Sequence, residues 1–405
     1  MRAWLVYALP ETGRRANPMQ LNPHLIDTGT PPIPEAQAWL AAWQGPAADR
    51  IDLSQAVPGY PPHETMLQAL STAAGTRAAA SYGSIYGDTA LRDAYGAHLS
   101  QVYGAPVKPG ETMITSGCNQ AFIIAVMALA KAGDAILVPS PWYFNHDMAL
   151  TMLGIETRAL PCSAENGFVP AVTNAENLVD EKVKAIVLVT PNNPTGAIYP
   201  PDVIEAFYEL CARKKIALIL DETYRDFLPD NAGPAHGLFN RKDWGDTLIS
   251  LYSFSKSYCI PGHRIGAMIA SENNAREIGK ILDTLQICPQ RAAQMALVPA
   301  IPELAVWRED NRREINVRAE AFRAAMAQGT GWQIASVGAY FSYVRHPYTA
   351  DARVVAERLA RERGVLLLPG VYFGDSSGQF MRVAFANADR AKLAALPERL
   401  SGFAL

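Results

Sequence analysis

Lys256 stands in a setting that suits an amine nucleophile. It closes the segment Ser253-Phe254-Ser255-Lys256, it has no acidic neighbour, and Arg264 follows eight residues later. A lysine among serines and aromatic residues is a candidate to attack a carbonyl group. The alternative is an ordinary surface lysine, although the apolar neighbours Phe254 and Tyr258 disfavour full solvation of the amine.

Asp221 is the second residue with chemical potential. It directly follows the apolar segment 216–220 and opens Asp221-Glu222-Thr223-Tyr224. A carboxylate at the mouth of an apolar strand needs a partner, because otherwise its pKa rises and it becomes neutral. A cationic ring nitrogen would be such a partner, and a helix N-cap aspartate is the alternative.

Two loops complete the set. Residues 116–120 (Ser-Gly-Cys-Asn-Gln) lie between a predicted strand and a predicted helix. The free backbone N–H groups of such a loop suit a phosphate, although Ser116 or Asn119 could instead be a simple helix cap. Residues 190–196, with two prolines, two asparagines and a glycine, form a rigid turn that fixes two short amides, and the alternative is a turn without function.

Together these groups describe one binding site. They comprise a phosphate cradle, a carboxylate for a pyridinium nitrogen, an amide for a ring oxygen and an amine for an aldehyde. Pyridoxal 5′-phosphate (PLP) requires this set of groups from a protein.

The elements that must position these residues alternate between strands and helices. Short apolar segments bounded by turn residues suit strands that are buried on both faces, and the alternation predicts an α/β domain with a mostly parallel sheet. Ligands bind at the carboxyl ends of such strands, where the polar segments lie. We predict strands at 112–115, 135–139, 185–189, 216–220, 247–251 and 265–269, and helices at 121–131 and 203–214.

The pattern changes after about residue 295. A long charged helix at 305–326 is followed by strand-like segments at 339–344 and 380–385, with a helix at 351–363 between them. We therefore predict a smaller α+β domain. Residues 10–36 are rich in Pro, Asn, Gly and Thr, and we predict an extended arm there.

Composition excludes several classes of protein. The chain has 405 residues, 49% of them hydrophobic and 19% charged, which argues against disorder. A net charge of −3 gives no electrostatic footprint for nucleic acid. The longest apolar run, 121–130, is half of the roughly 20 residues that span a bilayer. The five cysteines are scattered, which predicts reduced thiols in a cytoplasmic protein and no metal cluster.

From residue 53 to 387 the sequence resembles the class I/II aminotransferases of PLP fold type I, the aspartate aminotransferase superfamily. Six motifs occur in the order and spacing of that family. They are Tyr82-Gly83 with Gly87 and Leu91-Arg92, Ser116-Gly117-Cys118-Asn119-Gln120, Pro191-Asn192-Asn193-Pro194-Thr195-Gly196, Asp221-Glu222-Thr223-Tyr224, Ser253-Phe254-Ser255-Lys256 with Arg264, and Phe380-Met381-Arg382-Val383.

The resemblance implies catalytic roles for the residues around the cofactor ring. Lys256 matches the Schiff-base lysine that also moves the α-proton of the substrate. Asp221 matches the carboxylate that keeps the pyridine nitrogen protonated. Asn193 and Tyr224 match the pair that hydrogen-bonds the ring oxygen, and Tyr143 matches the aromatic residue that stacks on the ring.

The resemblance also implies the contacts at both ends of the site. Ser253 and Arg264 match the phosphate contacts, with the backbone of Gly117 and Cys118 beside them. Asn119 and Ser255 are further cofactor-binding positions, and Tyr82 matches a tyrosine that reaches the phosphate of a second subunit's cofactor. Arg382 matches the arginine that clamps the substrate α-carboxylate, with Asn193 and Ala56 beside it. Two positions depart from the family pattern: Ala56 stands where glycine is usual, and Cys118 where a hydroxyl is frequent.

We therefore expect an aminotransferase that moves an amino group between an L-amino acid and a 2-oxo acid by a ping-pong cycle. It is expected to be a homodimer with shared active sites, to bind PLP and no metal, and to act away from membranes and nucleic acid. The expected parts of the chain are an arm with part of the small domain (1–50), a large PLP-binding domain (55–290) and a small domain (295–405).

The sequence leaves other functions open. The same residues suit another PLP reaction, such as β-elimination by a C–S lyase, racemisation, decarboxylation or oxidation. A PLP-sensing regulator is disfavoured because residues 1–50 are too short and proline-rich for a DNA-binding domain. The roles of His146, His263, Asp283 and Arg291, and with them the substrate side chain, stay undecided.

Overall fold

Strands and helices alternate along most of the chain. The computed structural model describes residues 19–230 and 232–405. The strands are β1 Ile51–Asp52, β2 Thr112–Thr115, β3 Ala135–Ser140, β4 Glu156–Pro161, β5 Val183–Val189, β6 Ala217–Asp221, β7 Leu248–Ser253, β8 Gly266–Ile269, β9 Gln333–Gly338, β10 Phe341–Arg345, β11 Val365–Leu366, β12 Leu368–Pro369 and β13 Phe380–Val383.

The helices connect and cover these strands. They are α1 Pro23–Asp27, α2 Pro32–Ala41, α3 Glu64–Ala74, α4 Thr89–Tyr103, α5 Cys118–Leu129, α6 Phe144–Met152, α7 Val172–Leu178, α8 Pro201–Lys214, α9 Phe254–Ser257, α10 Glu272–Gln286, α11 Arg291–Glu303, α12 Ala305–Met326, α13 Ala352–Arg363, α14 Arg390–Ala394 and α15 Leu396–Leu400. In the part of the chain that the structure describes, no helix has the length and apolar character needed to cross a membrane.

A seven-stranded sheet forms the centre, in the order β2-β8-β7-β6-β5-β3-β4. Strand β8 runs antiparallel to both of its neighbours, and the other pairs are parallel. Alternate side chains of the strands enter two separate cores. Leu137, Leu188 and Leu218 pack with α4, α8 and α11 on one face, while Ile136 and Ile219 pack with α5, α6 and α10 on the other. The predicted three-layer α/β fold with a mostly parallel sheet is confirmed.

A third core joins the two ends of the described chain. The antiparallel sheet β12-β13-β10-β9 and the parallel pair β1-β11 lie in this part. Trp39 and Leu40 of α2 share this core with Phe322 of α12 and Val355 of α13. The predicted helix 305–326 coincides with α12.

Two local predictions are wrong. The expected extended arm, 10–36, contains α1 and the first turn of α2, while residues 10–18 lie outside the described residues. Proline at the first helical position starts both helices, and α2 is held by the burial of Trp39 and Leu40. The expected strand 339–344 begins two residues later, at Phe341 of β10, because residues 339 and 340 form the turn after β9, where Ala339 adopts a positive φ of 47°.

The register of the parallel strands aligns the polar segments. Val189 at the end of β5 pairs with Asp221 at the end of β6, which pairs in turn with Leu251 of β7. The residues that follow β5, β6 and β7 therefore emerge side by side at one edge of the sheet.

Candidate active site

Asp221 is held as a buried anion at the floor of the site. Its Oδ1 accepts a hydrogen bond from the backbone N–H of Thr223 at 3.0 Å, and its Oδ2 lies 3.5 Å from Nε2 of His146. Burial alone would raise the pKa of this carboxyl, but the hydrogen bonds and charge of His146, together with Thr223, hold the pKa below its ordinary value of 3.8. Asp221 therefore stays ionised at neutral pH and can neutralise a cation above it.

His146 is a positioning residue behind this carboxylate. Its ring lies against Phe122 with 3.9 Å between centroids, and it is 2% exposed. Helix α6 carries it, and Tyr143 immediately before that helix contacts its ring edge-on at 5.2 Å. The sequence left His146 undecided, and the structure places it in contact with Asp221.

The amine of Lys256 lies near Asp221 in the site. Lys256 follows β7, the strand beside β6 in the sheet. Ser253, the last residue of β7, caps α9 by accepting from the N–H of Ser255, and this short helix presents Lys256. The Nζ atom donates to the backbone carbonyl of Ala56. Burial, with the charges of Arg264 and Arg382, lowers the pKa of Lys256 to about 8. The neutral, nucleophilic amine is thus accessible near physiological pH.

This pKa predicts how Lys256 reacts in the cofactor-free protein. Only the neutral amine attacks an electrophile, so the rate of labelling should rise with pH around a midpoint near 8 and level off above about 9, whereas an ordinary lysine has its midpoint at 10.5. Labelling by trinitrobenzenesulfonate, followed by mass spectrometry of the Lys256 peptide, measures it, with Nα-acetyl-lysine as the reference. A rate that still rises above pH 10 would contradict the prediction.

The opposite end of the site, where Arg264 lies beside the start of α5, can bind an anion. Gly117 adopts a φ of 85° before the first residue of α5, and a Cβ there would lie 2.4 Å from Nη2 of Arg264. Only glycine therefore allows the guanidinium this close to the helix start. Burial, with the charge of Asp221, raises the pKa of the Cys118 thiol well above its ordinary value, so the thiol stays neutral and does not repel an anion.

A buried guanidinium closes the far side of the site. Arg382 of β13 donates from Nη1 to Oδ1 of Asn193 at 2.9 Å and from Nη2 to the carbonyl of Ser54. Its guanidinium carbon lies 4.9 Å and 4.8 Å from the ring centres of Phe341 and Phe373. Burial lowers the pKa of Arg382 to about 10, so it stays charged at neutral pH. Among the described residues its Nε–H has no hydrogen-bond partner, so it can donate to a ligand carboxylate.

The chain segment that supports Arg382 is itself tightly held. Ser54 donates to Asp52 at 2.6 Å, and Gln37 of α2 donates to both of these side chains. Ala56 follows on the same segment, and its φ is not in the positive range that favours glycine. The departure from the family pattern at Ala56 therefore requires no backbone strain.

Replacing Arg382 by lysine should weaken substrate binding. A lysine keeps the positive charge but cannot bond Asn193, Ser54 and a carboxylate with one planar group. Charged hydrogen bonds contribute about 1.5–3 kcal/mol each, so we expect KM for the amino acid to rise about 10- to 100-fold. Steady-state kinetics measures this, with Arg345→Lys, the same change at an exposed arginine of β10, as the control. A KM within twofold of the unchanged protein would contradict it.

Two adjoining cavities contain most of the predicted site residues. The first, of about 200 Å³, is lined by Cys118, Asn119, Tyr143, Asn193, Asp221, Tyr224, Ser253, Ser255, Lys256 and Arg264, with Gly117 behind Arg264. The second, of about 380 Å³, shares four of these residues and adds Ala56 and Arg382. Tyr82 lines neither cavity, and 79% of it is exposed.

Sequence reasoning missed several contributors. Thr223, Val189 and Pro261 also line the first cavity. Thr223 had a usable signal, since an aspartate frequently accepts from the N–H two residues later. Phe341 and Phe373, which flank Arg382, had no local signal because they come from other parts of the chain.

The residues of the first cavity fit PLP. Asp221 supplies a buried anion for a ring nitrogen, Lys256 an amine for the aldehyde, and Arg264 with the start of α5 a cradle for the phosphate. Two buried polar groups lack full satisfaction here and can serve a ligand. Among the described residues the Ser255 hydroxyl has no partner. The Asn193 oxygen accepts from Arg382, while its N–H groups could donate to a ring oxygen.

Known structures and sequences are similar to this chain over most of its length. A single mutant of Thermus thermophilus aspartate aminotransferase superposes with a TM-score of 0.86 at 23% identity, covering 95% of this chain and 99% of that one. The valine–pyruvate aminotransferase of Mycobacterium tuberculosis is 27% identical over 89% of this chain and 93% of that protein. The aspartate aminotransferase of Sulfolobus acidocaldarius is 26% identical over 76% of this chain and 78% of that protein.

The fold is therefore that of the fold type I PLP enzymes. The family model of the class I and II aminotransferases matches residues 48–400, and the chain belongs to this PLP-dependent family. It is a transaminase, and the prediction of amino-group transfer is confirmed.

Proposed function

We propose that this enzyme transfers an amino group between an L-amino acid and a 2-oxo acid by a ping-pong cycle. One observation carries the proposal: Lys256, whose pKa is lowered, lines both cavities. The first cavity contains Asp221, and the second contains Arg382. The first cavity suits a cofactor ring, and the second suits an amino acid held by its carboxylate. Lys256 can thus reach the atom where the two would meet.

Each residue has a definite part in this proposal. PLP, when bound, supplies an electron sink for the charge left on the substrate α-carbon when its proton departs. Asp221 holds the positive charge of the ring nitrogen, and Arg382 orients the substrate carboxylate. Lys256 Nζ takes and returns the α-proton, a task that suits a base with a pKa near 8. Tyr143 and Tyr224 line the first cavity, where Tyr143 would stack on the ring and Tyr224 would hydrogen-bond the ring oxygen.

A half-reaction tests this function. The PLP-loaded protein is mixed with single amino acids, and the absorbance of the cofactor is followed. We expect at least one amino acid to convert it to the pyridoxamine form with release of the matching 2-oxo acid. A stable pyridoxal spectrum with release of ammonia, carbon dioxide or peroxide would instead identify another PLP reaction. Loss of conversion with every amino acid would overturn the proposal.

We further propose a homodimer, the domain boundaries given above, and a cytoplasmic location. The exposed ring of Tyr82, which lines neither of the two cavities described above, supports a role toward a second subunit. The five cysteines are free thiols, which suits a reducing compartment. Light scattering tests the dimer, and Tyr82→Phe should raise the Kd for PLP if the hydroxyl reaches the partner's site.

A further inference from the structure

The second cavity, which lies beyond Lys256, carries information about the substrate side chain. It begins at Lys256 and Tyr224, which it shares with the first cavity, and contains Arg382. An amino acid whose carboxylate is bound by Arg382 and whose amine faces Lys256 must direct its side chain toward the remaining walls. Those walls therefore decide which side chains are admitted.

The remaining walls are mainly apolar. Ile33 comes from the first turn of α2, Val57 follows Ala56, and Phe144 begins α6. Two neutral amides, Gln55 and Asn145, are also present. Among the described residues, the cavity has no carboxylate and no cation other than Lys256 and Arg382. A second charge on the ligand would lose its hydration here without gaining a partner.

The sequence left Arg291 and Asp283 as candidates to bind a charged substrate side chain. The structure places both of them outside this cavity. Arg291 pairs with Asp88 at 3.0 Å and donates to the carbonyl of Ala78 at 2.6 Å. Asp283 is exposed on α10. Neither lines the second cavity. An acidic substrate therefore finds no arginine at Arg291, and a basic substrate finds no carboxylate at Asp283.

We propose that the preferred substrates are amino acids with uncharged, apolar side chains, together with their 2-oxo acids, and that Ile33, Val57 and Phe144 determine this preference. The inference rests on the proposed function and deepens it. Arg382 binds the only carboxylate that the site accommodates, and the three apolar side chains contact the substituent on the α-carbon. The proposal predicts that leucine and phenylalanine are better substrates than the charged amino acids aspartate, glutamate and lysine.

A binding experiment and a kinetic experiment test the preference in the PLP-loaded enzyme. Calorimetry with unreactive acids should show 4-methylpentanoate, which ends in an isopropyl group, binding at least tenfold more tightly than glutarate, which ends in a second carboxylate. Stopped-flow absorbance should show leucine and phenylalanine converting the cofactor at least tenfold faster, per unit concentration, than aspartate, glutamate or lysine.

Variants identify the residues responsible. Ile33→Arg and Val57→Arg each place a cation in the second cavity and should raise the ratio of the glutamate rate to the leucine rate at least tenfold. Val354→Arg puts the same charge on an exposed apolar position of α13 and should leave the ratio unchanged. Because α2 contributes to a core, the melting temperature of each variant is measured first, and the binding data on the unchanged enzyme do not depend on the variants.

The outcomes separate the two proposals. If aspartate or glutamate reacts as fast as leucine, or glutarate binds as tightly as 4-methylpentanoate, the side-chain preference is overturned while amino-group transfer stands. If no amino acid converts the cofactor, the proposed function is overturned and this inference with it. An unchanged ratio in both folded arginine variants would overturn the assignment to Ile33 and Val57.

Discussion

Replacing Lys256 by alanine is expected to reduce amino-group transfer by about 10⁴-fold or more. The substitution removes the nucleophile of the site and its general base together, and a general base alone contributes about 10²- to 10⁴-fold. It leaves Asp221, Arg264 and Arg382 in place, so PLP and amino acids should still bind. Single-turnover absorbance measurements give the rate, and the spectrum shows whether PLP is held without a covalent link.

The control for this substitution is Lys280→Ala. Lys280 lies on α10, is 71% exposed, and pairs only with Glu277 three residues away. Its loss should leave the rate unchanged, since exposed ion pairs contribute little. A Lys256→Ala enzyme that kept a tenth of the original rate while binding PLP would show that another group carries the chemistry.

Replacing Asp221 by asparagine is expected to lower the rate about 10²- to 10³-fold with little change in shape. Removing one preorganised electrostatic partner of a developing charge typically has an effect of this size. The amide cannot neutralise a ring nitrogen, and it also removes the anion that faces His146 at 3.5 Å. The cofactor should then be a weaker electron sink, which single-turnover rates measure directly.

The pH dependence sharpens this second prediction. The pKa of Asp221 lies below its ordinary value of 3.8, so the carboxylate is fully charged above about pH 5 and its protonation contributes no step to the rate between pH 5 and 9. Asp180→Asn is the matched control, because Asp180 is 54% exposed and pairs with Arg158. An Asp221→Asn rate within threefold of the original would show that ring-nitrogen charge is not required.

Local sequence was enough to predict which residues line the first cavity. An apolar strand ends at or within a few positions of each of three residues, Asn193, Asp221 and Lys256. Because the three strands are parallel neighbours, these residues lie at one edge of the sheet, and this placement needs no long-range contact. The motifs around them resemble one family closely enough to give the reaction class as well.

The wall of the substrate cavity could not be predicted in this way. Ile33 lies in a segment that we predicted to be extended, and helix α2 forms there because Trp39 and Leu40 are buried in a core built from the other end of the chain. Arg291 was open as a substrate ligand until the structure paired it with Asp88, 203 residues away. Sequence spacing says nothing about contacts of that separation.

The sequence by itself therefore determined the sheet, its polar edge and the reaction class, and it predicted which arginines bind the anionic groups. These follow from strand-length apolar segments and from side chains placed directly at their ends. Only the tertiary structure decided that His146 contacts Asp221, that the Nε of Arg382 has no partner among the described residues, and that Ile33, Val57 and Phe144 line the second cavity. These features depend on long-range packing and on which polar groups burial leaves without partners, and neither is encoded in any short stretch of the chain.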